Sequence, residues 1–457
     1  MPIQNFKPLA TNKAKKNALQ ILEAGLTAAE PKNFLKFFIN KNEIHIGKYR
    51  KILSNYEKIL VVSYGKAADS MAKFVSEIVD VSQGIVVIPK YTKSCLTNKN
   101  FKVFYSGHPV PNKESVRAGK AVLKFVNKCS NRDLVIFLIS GGGSSLLSIP
   151  DEITLSDKKR ITKILLNCGA TINEFNCIRK HFSQIKGGKL VQKMNCDGCA
   201  LIMSDVVNND ISVISSGCTY YDNTTSYDAI KIIRKYSLEA KLPKNAISYL
   251  KKKLSKKTTI RKNLRIKNKI IATNQDCLDA MISKSRVLGF MTVVSPVIQY
   301  DVAISAKRLV KMIPKSKRFC IIFGGEPTVN VKGKGKGGRN QELVLQILKL
   351  IHKSDHNLII SSIGTDGIDG NTKYAGALIE NNPFKLDDIT HYLKNNKTKT
   401  MVLRKQSPYL NRVKFVPLFL KSSVKLHFTF ETTRWKPVET LVAQIGLIRF
   451  EKQKHPK

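Results

Sequence analysis

Short apolar runs, each followed by Gly or Ser and then by a stretch with helical spacing, recur along the first half of the chain. KILVVSYG (58–65), GIVVIPK (84–90), KVFYSG (102–107), DLVIFLIS (133–140) and ALIMSD (200–205) are apolar nearly throughout rather than alternating, and so read as strands buried on both faces. Between them, Lys66 to Ile78, Glu114 to Cys129 and Asp157 to Cys168 place apolar residues on one helical face. Buried strands alternating with helices predict βαβ units and a mostly parallel sheet. Past residue 240 a Lys-heavy stretch, NAISYLKKKLSKKTTIRKNLRIK, reads as the exposed face of linking helices. The rhythm then restarts with KIIATN (269–274), FMTVVS (290–295), RFCIIFGGEPTV (318–329) and NLIISSIGTD (357–366). The expected organisation is α/β with two domains, residues 1–240 and 241–396, and no repeat of fixed period.

Composition narrows the classes of function. A chain of 457 residues with 42% hydrophobic content can fill two or three cores, which excludes disordered and collagen-like chains. The net charge of +45 arises from 78 Lys and Arg against 33 Asp and Glu, and 62 of those cations are Lys against 16 Arg. Readers of nucleic acid concentrate charge on one face and favour Arg, so scattered Lys predicts a solvated surface and no nucleic-acid partner. No stretch approaches the roughly 20 apolar residues that span a bilayer, and the N-terminal residues lack the apolar core and cleavage site of a signal peptide. The expectation is a cytoplasmic protein with no membrane partner. Nine Cys at irregular spacing suit a reducing compartment, and Cys196 with Cys199 is a single CxxC, too few ligands for structural zinc.

Four strand ends carry polar residues that packing does not require. In SYGKAADSMA, Lys66 follows a strand and opens a helix, where the helix dipole already favours a phosphate or carboxylate. In SGGGSSLL, Gly141, Gly142 and Gly143 allow close backbone approach, and with the hydroxyls of Ser140, Ser144 and Ser145 they form a nest for anions; neither a Walker nor a Rossmann fingerprint is present. Arg179, Lys180, His181 and Lys186 precede Gly187 and Gly188, while Ser204 and Asp205 follow a strand, where an Asp holds Mg²⁺ or caps a helix. Last, the basic loop of FGGEPTVNVKGKGKGGRNQELVLQ runs through Gly337 and Gly338 into a helix opening at Arg339 and Asn340, a form suited to closing over phosphates. Glu326, Asp366 and Asp369 supply carboxylates for a cation nearby in sequence.

Taken in order, GKAA, GHPVP (107–111), SGGGSSL, N-x-x-x-x-IRKHFSQIKGG, SDV, GGEPTV, GGRNQEL and GTDGIDG resemble the class II glycerate kinases, from about residue 10 to 396. The resemblance implies a Rossmann-like N-terminal domain, a second α/β domain of the MOFRL type, and an active site in the cleft between them. It implies phosphorylation of D-glycerate by ATP with Mg²⁺, typically at the 2-hydroxyl to give 2-phosphoglycerate, with Lys66 and Arg339 stabilising the transition state. By the same resemblance, substrate and ATP would meet Ser140, Gly141, Gly142, Gly143, Ser144, Ser145, Arg179, Lys186, Gly187, Gly188, Ser204, Gly337, Gly338 and Asn340. Asp205, Glu326 and Asp366 would hold Mg²⁺ or orient the acceptor hydroxyl. Two other readings stand beside this one: an oxidoreductase acting on hydroxypyruvate or tartronate, which the missing GxGxxG argues against, and an inactive kinase-like binding protein. Oligomeric state is left open, a homo-oligomer included.

Two departures from the family pattern stand out. SGCT places Cys218 where the family reads SGPT, which frees one backbone dihedral. Nothing from Lys397 onward resembles the family's closing TG-x-T-x-TN-x-x-D turn. The segment 397–457 holds 14 Lys and Arg against 3 Asp and Glu, and its runs KFVPLFL and KLHFTF look β-prone without helical counterparts. The expectation is a shifted reading frame near Lys397 or a divergent end.

Overall fold

The computed structural model describes residues 3–254, 263, 265–314, 318–329, 337–351, 358–380, 416–418 and 444–450. The chain forms two compact units, one of residues 31–272 and the other of residues 1–30 with 273–457. The strand-and-helix rhythm of the sequence predicts a boundary near 240. The division falls elsewhere because the strand near 270 completes the first sheet, and because the N-terminal helix Lys13–Ala28 packs on the helix Asn274–Val287.

The unit 31–272 begins with a hairpin, β1 (Glu43–Ile46) and β2 (Tyr49–Ile52), that the apolar pattern did not predict. Six strands follow: β3 (Lys58–Tyr64), β4 (Gln83–Pro89), β5 (Phe101–Ser106), β6 (Asp133–Ile139), β7 (Asp197–Met203) and β8 (Ile266–Ala272). All pair in parallel, in the spatial order β5-β4-β3-β6-β7-β8. Counted from β3 this is 3-2-1-4-5-6, the doubly wound Rossmann order. Every residue of β6 is buried, as a central strand covered on both faces requires.

Helices Lys113–Asn127, Leu155–Asn167, Ile172–His181 and Ser226–Lys235 start at capping boxes. At the second of these, Asp157 N–H donates to Thr154 Oγ1 at 3.0 Å and Thr154 N–H to Asp157 Oδ2 at 3.1 Å. That reciprocal pair starts the helix ahead of the first residue the apolar pattern picked out. Helices 155–167, 172–181, 226–235 and Lys244–Leu254 share a second core, with Ile161, Ile178, Ile233 and Leu250 inside. In this last helix Lys251 and Lys252 are exposed and Lys253 pairs with Asp151 at 3.2 Å, around buried Ala246 and Leu250, and residues 255–262 and 264 of the Lys-heavy stretch lie outside the described residues.

The other unit holds β9 (Met291–Val294), β10 (Phe319–Gly325), β11 (Leu358–Gly364), β12 (Gly376–Glu380), β13 (Val416–Leu418) and β14 (Gln444–Phe450) in the order β13-β12-β11-β14-β10-β9. The sheet is mixed. β9 and β10 are parallel, and β14 runs antiparallel to both β10 and β11, so those two run the same way and end at one edge. Helices Val302–Lys311 and Arg339–Ile351 pack on it through Leu309, Leu343 and Ile347. Residues 397–457, expected to depart from the family pattern, supply two strands of this sheet, and one of them, β14, lies within it with Leu447 and Ile448 buried. KLHFTF and the glycine-lysine loop 330–336 lie outside the described residues.

Candidate active site

β3 and β6 are adjacent parallel strands at the point where the strand order reverses, and the crevice beyond their carboxyl ends is where doubly wound sheets bind ligands. Lys66 lies just past β3 and the glycine loop just past β6. The two turns are tied together: Ser140 N–H donates to Tyr64 O at 3.1 Å, Lys66 N–H to Gly141 O at 2.9 Å, and Ala67 N–H to Ser140 Oγ at 2.9 Å.

The glycines are required by what surrounds them. Gly142 has φ +83°, and a β-carbon there would lie 3.0 Å from the His108 ring and 3.2 Å from Lys66 Cγ. One on Gly141 would collide with the Asp205 carboxylate. Lys66, His108, Asp205 and the loop backbone are thus brought together. Ser215 and Ser216, with φ +51° and +62°, are held in a left-handed conformation that costs about 1–3 kcal/mol each. Their hydroxyls join the loop: Ser215 Oγ donates to Ser140 O at 2.8 Å, and Ser216 Oγ lies 2.6 Å from Ser144 Oγ.

Beneath the loop sits a group of buried cations. Lys186 is fully enclosed, and its Nζ donates to Ser144 O at 2.9 Å, so the residue meets the loop rather than open space. Burial lowers its pKa to about 8, with Arg179 and Lys180 adding to the effect. Lys158, which no sequence signal marked, is likewise buried, and its Nζ donates to Ser148 Oγ at 2.8 Å; burial, with Lys186 and Arg179 nearby, holds its pKa well below the usual lysine value. Arg179 stacks over the Phe175 ring at 4.8 Å, its buried Nε has no hydrogen-bond partner, and burial lowers its pKa to about 10. Lys180 pairs with Asp222 at 3.3 Å. His181 is neutral at pH 7, because burial lowers its pKa to about 4.

Other residues expected to meet ligand are engaged inside the protein. Gly187 and Gly188 N–H donate to Ser216 O at 3.1 Å and Gly217 O at 2.8 Å, bracing the strained serines. Ser204 is buried and its Oγ accepts from Val206 N–H at 3.2 Å.

In the second unit, Glu326 follows β10 and Asp366 follows β11, at the edge those strands share. Arg339 opens the helix 339–351, and its Nη1 lies 2.6 Å from Glu326 Oε1. Burial pulls the Arg339 pKa down, but Glu326, with Asp366 and Asp369, more than offsets this, and the net shift is upward. Asp369, fully buried, accepts from Asn340 N–H at 3.0 Å, Asn340 Nδ2 at 3.0 Å and Gln341 N–H at 2.9 Å. Asn340 Oδ1 accepts from Ser362 Oγ at 2.8 Å, so this amide is occupied on both sides. Gly337 N–H donates to Asn371 Oδ1 at 2.9 Å, and Gly338 packs against Asp369.

Mg²⁺ takes oxygen ligands and often uses only one or two protein carboxylates beside phosphates and water. Asp205 and Asp366 have the right donor chemistry. Among the described residues no cluster of three or more His, Cys, Asp or Glu side chains forms a protein-only metal cage. Of the residues around the loop, His108 was legible only as part of GHPVP. Lys158, Ser215 and Ser216 carried no signal of their own.

Residues 17–251 match the domain of unknown function DUF4147, and residues 319–410 match the MOFRL family. The chain is 34% identical to a glycerate 2-kinase of Pyrococcus horikoshii over 80% of its length and 86% of the relative's. It is 33% identical to a D-glycerate 2-kinase of Thermotoga maritima over 84% of its length and 91% of that protein. The crystal structure of a glycerate kinase from Thermotoga maritima superposes with a TM-score of 0.73 at 28% identity, covering 95% of this chain and 99% of the other. With both family models matched in chain order and relatives 33–34% identical over most of the chain, the chain belongs to the class II glycerate kinase family.

Proposed function

We propose that the protein transfers the γ-phosphoryl group of ATP to the 2-hydroxyl of D-glycerate, giving ADP and 2-phosphoglycerate. The observation that carries this reading is the convergence of Lys66, the glycine loop and Asp205 at the switch point of a Rossmann-ordered sheet, in a chain whose relatives bear the name glycerate 2-kinase. In the reaction the acceptor oxygen bonds to the γ-phosphorus as the bond to the β–γ bridging oxygen breaks, and little covalent work is left to the protein. Lys66 acts as a point charge on the moving phosphoryl group, and Arg339, held by Glu326, offers a planar fork to a phosphate or carboxylate. Loop residues 140–145 receive substrate or phosphate oxygens, and Arg179 adds a cation behind them. Asp205 orients the acceptor hydroxyl and takes its proton. Asp366 would hold a Mg²⁺ ion arriving with the nucleotide, and that ion would supply neutralisation of phosphate charge.

Phosphorus NMR of the product of ATP and D-glycerate tests the reaction and its position. The 2-phosphoglycerate resonance is expected. A 3-phosphoglycerate product overturns the regiochemistry, and reduction of hydroxypyruvate by NADH without any phosphoryl transfer overturns the whole reading. Lys66→Ala and Arg339→Ala are each expected to lower kcat/KM at least ~100-fold, the scale of one lost transition-state charge contact. Near-normal turnover in either variant removes that residue from the mechanism.

A further inference from the structure

Lys158 and Lys186 both aim their ammonium groups at one segment from below, at Ser148 Oγ and Ser144 O. Among the described residues neither is paired with a carboxylate. Lys186 faces Arg179, Lys180 and the Cys218 thiol, and Lys158 faces Lys186, Arg179, Lys189 and Cys218. Enclosing a cation among other cations is unfavourable, and an apolar side chain of similar volume would fill the space without that penalty. The arrangement places positive potential directly behind the glycine loop, whose Gly142 also lies against Lys66.

We propose that Lys158 and Lys186 are positioning residues for phosphoryl transfer: they brace the segment 140–148 from beneath and hold it in the form that receives anionic oxygens. This rests on the reading that the glycine loop binds substrate or phosphate. Neither lysine is a catalytic residue, because each acts through the loop. The Asp222 carboxylate is taken by Lys180 at 3.3 Å, so the negative charge that Lys158 and Lys186 lack is supplied by the ligand, and anion binding and protonation of Lys186 are coupled: each favours the other.

The bracing has a directional consequence. The folded-state pKa of Lys186 is lowered from 10.5 to about 8, so its charge opposes folding in full below about 8, and that opposition is relieved as pH rises toward the unfolded value. Stability therefore increases between about pH 8 and 10.5, while the charge that holds the loop is lost. Activity and stability move in opposite directions across one titration. A lysine with a merely structural role would move them together.

The test uses the full chain. In the wild type, kcat/KM for glycerate at saturating ATP is expected to fall as pH rises through about 8, while the melting temperature rises. Lys186→Met is expected to lower kcat/KM at pH 7 at least ~10-fold, the scale of one charge-assisted hydrogen bond, to abolish the alkaline limb, and to melt no lower than wild type. Lys158→Met is expected to lower kcat/KM while leaving the limb in place. A folded Lys186→Met with kcat/KM within twofold of wild type, or one whose activity and melting temperature fall together, overturns the proposal. Should that variant not fold, calorimetry of inorganic phosphate binding to the wild type at pH 8, in buffers of different ionisation enthalpy, decides. Net proton uptake is expected, and its absence overturns the coupling. Gly142→Ala separates the two readings: full activity there means that the loop is not the ligand site and both readings fall, whereas an inactive Gly142→Ala beside an unaffected Lys186→Met sinks the bracing alone.

Discussion

Asp369 shows how one side chain holds a helix end for its neighbours. Its two oxygens take the first N–H groups of the helix that begins at Arg339, along with the Asn340 amide, all inside the protein. Asp369→Asn replaces one acceptor by a donor that faces an N–H group. The expected outcome is a loss of about 1–3 kcal/mol in equilibrium denaturation and a lower kcat at temperatures where the variant stays folded, because Arg339 rides on that helix end. Unchanged stability would show that the cap is replaceable. The sequence placed Asn340 at a ligand and grouped Asp369 with the cation carboxylates, since two residues 29 positions apart give no sign that they bond to each other. Lys66 and Gly142 were legible because their signal is local: a strand end, a glycine, a helix start. Lys158 was not, because a lysine in an amphipathic helix reads as exposed, and only the folded chain shows it turned inward.

At the scale of elements, legibility follows burial. Strands covered on both faces, such as β3, β6 and β10, leave apolar runs that stand out in the sequence. The hairpin strands EIHI and YRKI are only partly buried, and QIGLIRF mixes polar and apolar positions, so β1, β2 and β14 were missed. Missing β14 mattered most, since it joins β10 to β11 and so completes the sheet that carries Glu326 and Asp366. Gly446 lets it fit: a β-carbon there would collide with the Phe323 ring and the Ser361 carbonyl. Gly446→Val is expected to destabilise the protein by about 1–3 kcal/mol, the usual range for overpacking, with Gly446→Ala milder, both read from denaturant midpoints. A Gly446→Val midpoint equal to wild type would show that β14 does not pack between those strands.

At the scale of the whole molecule, the chain begins in one unit, builds the other, and returns. An amphipathic helix declares that it has a buried face but not which partner covers it, and so the place of residues 13–28 was hidden in the sequence while the two-unit count was not. Charge was legible in amount and is tested in kind. With +45 spread over scattered lysines, long-range repulsion opposes the compact state, and salt screens it within about 10 Å at 0.1 M. The melting temperature is therefore expected to rise as NaCl is increased from about 20 to 300 mM, a range over which the screening length falls several-fold. On the proposed reading the cations at the glycine loop act on the ligand, and KM for glycerate and ATP is then expected to rise over the same range, opposite in sense to the stability. Duplex DNA held weakly at the low end is expected to dissociate by about 0.2 M salt, as binding through scattered phosphate contacts does. A melting temperature that falls with salt, together with DNA that stays bound, would mean that the lysines form one concentrated face with a polyanion as its partner. A rising melting temperature with a rising KM separates the charge into a solvated majority that the fold tolerates and a few buried or half-buried cations that the reaction uses.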